Sequence, residues 1–248
     1  MRIAVVTLFP VMIREALAHG VVGRAAERGV LEVECFDPRD YATDVHRTVD
    51  DRPYGGGPGM VLKVEPLRSA IRAAAAAQPP GSQKVYLGAD GRRFEQGTAR
   101  SACAAAGLIL VAGRYEGVDE RCIERETDAR WSIGDYVLSG GELAALVVID
   151  AIARLLPGTL GSAESAEHES FGDGLLDWPH YTRPPDIGGQ AVPAVLLSGD
   201  HAAIHRWRLQ QALGRTWLRR PDLLERRGMS DAERALLEEF KIERAGGA

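Results

Sequence analysis

Cysteine is scarce in this sequence. Cys35, Cys103 and Cys122 are widely separated, and none belongs to a CxxC pair. That spacing offers neither a disulfide framework nor a thiolate metal site, and it suits a reducing cytosol. No run of ~18 consecutive apolar residues occurs, so no membrane-spanning helix and a cytoplasmic protein are expected. The opening MRIAVVTLFP lacks a basic stretch ahead of a long apolar one and is not read as a secretory signal. Several motifs are missing too. No GK[ST] follows the glycine-rich stretch at 50–60, and no GxGxxG follows a strand. The first gap excludes a P-loop, and the second weighs against an ordinary dinucleotide fold. GxSxG is absent, and His201 and His205 lack the glutamate of HExxH. A serine-hydrolase elbow and a zinc protease site are therefore excluded. The net charge of −5 argues against wholesale coating of nucleic acid.

What is present begins with size. The 248 residues allow one large domain, or one of about 150 residues followed by a smaller one. Residues 2–9, RIAVVTLF, read as a buried strand, 11–19 as a helix with Gly20 as its C-cap, and 30–36 as a second strand. Residues 37–60 show little apolar periodicity, and residues 53–60 hold four glycines and two prolines, which forbids a helix or a central strand. That loop is either plain surface or a bare backbone able to approach a base or phosphate beside Arg52. A helix is expected over 64–78, a strand over 84–87 with a turn at 88–91, a helix over 96–106, the apolar strand LILVA over 108–112, and a helix over 118–126. Repetition of strand, loop and helix implies an α/β fold with a mainly parallel sheet covered on both faces.

Three loops then leave the C-terminal ends of strands, at 86–91, 113–117 and 133–141, the edge at which open α/β sheets bind ligands. The last is broken by Gly134 and by Gly140-Gly141. Read alone it serves equally as a connector or as a ligand loop. It feeds residues 142–155, ELAALVVIDAIARL, apolar on so many sides that the helix is either central or part of a dimer interface. Asp150 and Arg154 share one of its faces, so Arg154 either pairs with Asp150 or faces a ligand.

Residues 157–174 are small, acidic and serine-rich and read as a linker. Beyond them, residues 205–227 carry seven arginines against Asp222 and Glu225, a patch that phosphates select. Ser230 and Glu233 are spaced as a capping box that opens the last helix.

Five stretches in order, DDRPYGGGPGM at 50–60, LVAGRYEGVDER at 110–121, WSIGDYVLSGGELAA at 131–145, LLDWPHYTRP at 175–184 and RWRLQQALGRTWLRRPDLL at 206–224, resemble the bacterial tRNA (guanine-N1)-methyltransferases of the SPOUT class. The resemblance spans essentially the whole chain. It implies a trefoil knot closing a domain at 1–160, a flexible linker at 161–174 and a small all-helical tRNA-binding domain at 175–248. It also implies a homodimer in which one subunit's knot and the other's C-terminal domain share the active site. The implied methyl donor is S-adenosyl-L-methionine, with a magnesium ion left open as an accessory. By position the donor falls to Tyr86, Leu87, Gly113, Glu116, Ser132, Ile133, Gly134, Asp135, Tyr136, Val137, Leu138, Gly140 and Gly141. RNA contacts fall to Asp50, Arg52, Gly59, Ser165, Ser170, His180, Arg183, Arg206, Arg208, Arg215, Arg219 and Arg220.

The implied reaction methylates N1 of guanosine at tRNA position 37, so a base must take the N1 proton. The resemblance assigns this to Glu169, where the family usually has aspartate, with Asp177 as the alternative and Arg154 stabilising charge on the guanine oxygen. A second departure is LGADG at 87–91, where the family commonly shows a serine-proline pair. The competing functions are a tRNA-binding protein of the same fold without catalysis, suggested by the glutamate, and a nucleotide-binding enzyme unrelated to RNA.

Overall fold

The computed structural model describes residues 1–160 and 169–246, and these form two compact units that divide near residue 163. In the first unit a five-stranded sheet has the order β2-β1-β6-β5-β7, with every neighbouring pair parallel. Its strands are β1 (Arg2–Val6), β2 (Glu32–Phe36), β5 (Gln83–Arg93), β6 (Leu108–Ala112) and β7 (Ala129–Ser132). The apolar runs RIAVV and LILVA occupy neighbouring central positions because both of their faces are covered.

Strand alternation divides the core in two. Ile3, Val5, Leu108 and Leu110 pack with α6 (Glu142–Ala153), α2 (Gly20–Glu27) and α4 (Gln96–Cys103). Ala4, Val6, Ile109 and Val111 face α3 (Val64–Ala77) and α5 (Glu120–Glu126). Along α6, Ala145, Val148, Ile149 and Ile152 are wholly buried, whereas Leu143 and Val147 stay exposed on the other side. The helix is thus central on one face and carries unused apolar surface on the other.

Two sequence expectations change here. Gly20 does not merely end α1 (Pro10–Leu17): its φ of +67° turns the chain directly into α2, where Val22, Gly23 and Ala25 are buried. The segment expected as a strand ending in a turn at 88–91 is one long strand, β5. It bulges there, so that Leu87 and Arg92 both sit opposite Trp131. Gly91 permits this, since a Cβ there would lie 2.5 Å from the Trp131 backbone. The glycine-rich loop at 52–60 is the tip of a two-rung antiparallel ladder between β3 (Asp50–Asp51) and β4 (Val61–Leu62). Gly55, Gly56, Gly57 and Gly59 in it all have positive φ.

Helices dominate the second unit: α7 (Ala194–Leu197), α8 (His201–Arg219), α9 (Pro221–Arg227) and α10 (Asp231–Gly246). It is not all-helical, because β8 (Asp186–Ile187) and β9 (Gln190–Ala191) form a small hairpin around Gly188-Gly189. Leu175, Ala212, Leu213, Leu224 and Leu237 make its core. Residues 169–174, expected within the linker, fold onto this unit. The Phe171 N–H donates to the Leu175 carbonyl at 2.7 Å, and Arg227 Nε donates to the Asp173 carbonyl at 2.6 Å. The small, acidic and serine-rich composition reads as a linker here, but backbone hydrogen bonds hold the turn. Residues 161–168, including Ser165, lie outside the described residues.

The helix α8 approaches α10 closely at Gly214, where an added methyl group would overlap the Phe240 ring. An exposed helical glycine-to-alanine change would gain up to about 1 kcal/mol, but overpacking a buried ring typically costs about 1–3 kcal/mol. Gly214→Ala should therefore lower the stability of the second unit in denaturant titration, and a more stable variant would contradict the packing.

The capping box is formed: the Ser230 N–H donates to Glu233 Oε2 at 2.8 Å, and the Glu233 N–H donates to Ser230 Oγ at 3.2 Å. Arg227 donates to Glu233 at 2.7 Å and, with help from Ser230, holds its carboxyl down at about 2 from the ordinary 4.5. A depressed carboxylate adds stability that is complete above 4.5 and is lost as pH falls toward 2. Glu233→Gln should cost about 1–3 kcal/mol at neutral pH and should flatten the acid limb of a melting-temperature profile.

Candidate functional site

Because all five strands of the sheet run parallel, the loops that follow β6 and β7 and the bulge of β5 meet at one edge, where they line a cleft of about 230 Å³. Tyr86 and Leu87 form one wall, Gly113 and Glu116 the second, and Ser132, Ile133, Gly134, Tyr136, Val137, Leu138, Gly140 and Gly141 the third. Asp135 is the one expected donor residue that does not line it. Its exposed carboxylate pairs instead with Arg93 at 3.1 Å.

Glycines set the shape of this cleft by letting chains approach. A Cβ on Gly141 would lie 2.7 Å from the Ala112 Cα, and the Gly141 N–H donates to the Gly113 carbonyl at 2.9 Å. Gly113 itself lies against the Tyr86 ring, with the phenol oxygen 3.0 Å from where a Cβ would stand. Burial, with Asp90 adding to it, raises the Tyr86 hydroxyl above its ordinary value, so Tyr86 acts here as a neutral wall. At Gly134, φ is +154° and an added Cβ would overlap Tyr136. The Tyr136 hydroxyl donates back to the Ile133 carbonyl at 3.3 Å, which curls the loop over itself.

Arg114, Tyr115, Trp131 and Ser139 also line the cleft and were not among the expected residues. The GRYEG loop contained the signal for the first two, an arginine and an aromatic set between glycines. Arg114 Nε donates to Glu142 Oε2 at 2.7 Å, and its Nη1 donates to the Ser139 carbonyl at 3.1 Å. Tyr115 has a φ of +61°, and its hydroxyl is raised first by burial and then by the Asp50 carboxylate. Backbone bonds tie the glycine-rich hairpin to the same region: the Glu116 N–H donates to the Met60 carbonyl at 2.9 Å, and the Leu62 N–H to the Gly117 carbonyl at 3.0 Å. Gly59 lies so close to Glu116 that a Cβ would overlap that side chain. Arg52 is exposed on this hairpin. Arg154 caps the C-terminal end of α6, half-buried, its backbone N–H donating to the Asp150 carbonyl at 3.2 Å.

In the second unit a separate pocket of about 250 Å³ is lined by both candidate carboxylates, Glu169 and Asp177, together with Trp178, His205 and Arg208. Asp177 is held firmly. Its N–H donates to Ser170 Oγ at 3.0 Å, Oδ1 accepts from the Trp178 N–H at 2.7 Å, and Oδ2 lies 2.8 Å from His180 Nε2. The Arg208 guanidinium stacks on the Trp178 ring at 4.9 Å. The expected RNA-contacting arginines differ in their availability. Arg206 is paired with Glu239 at 2.6 Å and Arg220 with Asp222 at 2.8 Å, whereas Arg183 and Arg219 are exposed. Arg215 is half-buried, with its Nε enclosed and unbonded.

Among the described residues no helix is long and apolar enough to cross a membrane. Comparison with known proteins adds the following. The family described as tRNA (Guanine-1)-methyltransferase TrmD matches residues 1–226. The tRNA (guanine-N(1)-)-methyltransferase of Methylococcus capsulatus is 63% identical over 243 residues, which covers 98% of this chain and 97% of that protein. The proteins of the same name from Proteus mirabilis and Serratia proteamaculans are each 58% identical over 243 residues, covering 97% and 95% of their lengths.

Because the Gly141 contact is with backbone that cannot move aside, Gly141→Ala should force α6 away from the end of β6. The expected outcome is a loss of about 1–3 kcal/mol in stability, read by denaturant titration, and unchanged stability would contradict the close packing.

Proposed function

The chain belongs to the tRNA (guanine-1)-methyltransferase family, and on that premise we propose how its two units divide the work. It is an enzyme that methylates N1 of guanosine in tRNA, and S-adenosylmethionine is the donor that such a methyltransferase uses. The relatives' shared name lends nothing to a tRNA-binding protein without catalysis.

The donor is assigned to the cleft at the sheet edge. The observation that carries this is the shape of the cleft: bare backbone at Gly134, Gly140 and Gly141 beside apolar walls from Leu87, Ile133 and Leu138. Such surfaces suit a flat heterocycle with a polar chain, and the Glu116 carboxylate suits a sulfonium charge. When bound, the donor supplies an electrophilic methyl group. Support for a trefoil knot comes from the way residues 139–142 pass against residues 113–114, with Arg114 holding the Ser139 carbonyl and Gly113 accepting from Gly141.

Guanine N1 carries a proton and becomes a nucleophile only as that proton leaves. The carboxylate pocket is assigned to this step, with Glu169 as base. Asp177 is the alternative, but its two oxygens already serve the Trp178 N–H and His180, which favours an orienting role. Arg208 stacked on Trp178 gives the pocket a flat, cationic side for a base. Arg154 neutralises charge growing on the guanine oxygen. The exposed Arg183 and Arg219, with Arg52 on the hairpin, meet phosphates before the paired arginines do. The guanosine is placed at position 37, the enzyme in the cytoplasm with its tRNA, and magnesium is given no step. A homodimer is proposed as the catalyst, supported by the exposed Leu143 and Val147 on α6 and Val11 on α1, which packs against α6.

Labelled methyl transfer to a tRNA transcript tests this directly. Incorporation should vanish when guanosine 37 is replaced by adenosine. It should fall by ~100-fold or more in Glu169→Gln with donor binding intact, and by less in Asp177→Asn. Retained turnover in Glu169→Gln would move the base to Asp177.

A further inference from the structure

One acidic group at the sheet edge is not used by the reaction. Glu142 is 0% exposed, opens α6 directly after Gly141, and does not line the cleft. A carboxylate taken wholly out of water is unfavourable unless it is paired and hydrogen-bonded, and a buried ion pair adds little net stability over apolar packing. Geometry is the other reason to keep one.

Glu142 closes a ring of contacts joining three distant stretches of chain. Its Oε1 accepts from Thr7 Oγ1 at 2.8 Å, and its Oε2 accepts from Arg114 Nε at 2.7 Å. The Thr7 hydroxyl oxygen also accepts from the Phe9 N–H at 2.9 Å, and the Phe9 ring lies under the Arg114 guanidinium at 4.3 Å. Thr7 and Phe9 follow β1, Arg114 follows β6, and Glu142 begins α6. The output of this ring is the cleft. With Nε and its π face held, Arg114 presents Nη1 to the Ser139 carbonyl at 3.1 Å, and Gly140 packs so tightly on Arg114 that a Cβ would overlap it.

We propose that Glu142 is a positioning residue for the methyl donor, acting through Arg114 to fix the Ser139-Gly140-Gly141 backbone, with Thr7 as its second anchor. The inference rests on the assignment of the donor to this cleft. If the ring sets the shape of the cradle, its members act as one unit on donor affinity and leave tRNA affinity alone.

The test is titration of the full chain with S-adenosylmethionine by calorimetry, alongside steady-state kinetics and tRNA binding. Glu142→Gln keeps the volume but loses the charge, and it should weaken donor binding by about tenfold or more. It should raise the donor KM more than it lowers kcat, with tRNA affinity unchanged. Arg114→Gln should do the same, and the double variant should be no worse than either single one, because both break one linkage. If Glu142→Gln does not fold, Thr7→Val decides: it should weaken donor binding, and Thr7→Ser, which returns the hydroxyl, should recover most of the loss. A folded Glu142→Gln with wild-type donor affinity, additive losses in the double variant, or wild-type affinity in Thr7→Val would each overturn the proposal. Failure of the unaltered chain to bind the donor would instead overturn the cleft assignment, and this proposal with it.

Discussion

The close approach of the start of α6 to the end of β6 is the constraint on which the first unit depends. It is made by one backbone hydrogen bond, from the Gly141 N–H to the Gly113 carbonyl, across a gap that leaves no room for a Cβ. Several features follow from it. The glycine-broken loop at 133–141 must bend back over the sheet edge, which leaves its carbonyls and N–H groups lining a cleft. The helix must start at the edge and run back beneath the strands, which buries Val148, Ile149 and Ile152 against Ile3, Val5 and Leu110. The first helical residue must lie in the protein interior, and that residue is a glutamate.

The two units are built on opposite principles. In the first, glycines remove side chains so that main-chain groups and apolar walls line the cleft. In the second, charged and aromatic side chains line the pocket, with Glu169, Asp177, Arg208 and Trp178 gathered by a short turn and by one face of α8. The proposed division follows from this, since a methyl donor needs a shaped cradle whereas a guanine needs a proton acceptor and a flat cationic neighbour.

Much of the first unit was legible because β1 and β6 are apolar on both faces, a pattern that only a covered parallel sheet explains. The bulge in β5 was not, because Gly88 and Gly91 signal a turn equally well. Only the pairing of Leu87 and Arg92 with Trp131 makes the segment one strand. The second helix was missed for a related reason, since a glycine that stops one helix can turn the chain straight into another. In the second unit the arginine-rich stretch was legible as charge, but not which arginines stand free. Glu239 neutralises Arg206 from 33 residues away, a partner no local reading supplies.

By itself the sequence determined the sheet class, the sheet edge at which the cleft opens, the glycine positions of the cleft and, through five long motifs, the family. The first three depend on local patterns and on residues whose backbone needs are stringent, and the family on five stretches spread between residues 50 and 224. The tertiary structure alone decided the contacts among Thr7, Arg114 and Glu142, because their meeting depends on how two strand ends and the start of α6 converge. It also decided that Asp135 turns outward to Arg93 while its neighbours line the cleft, since that depends on the curl of the loop and not on its composition.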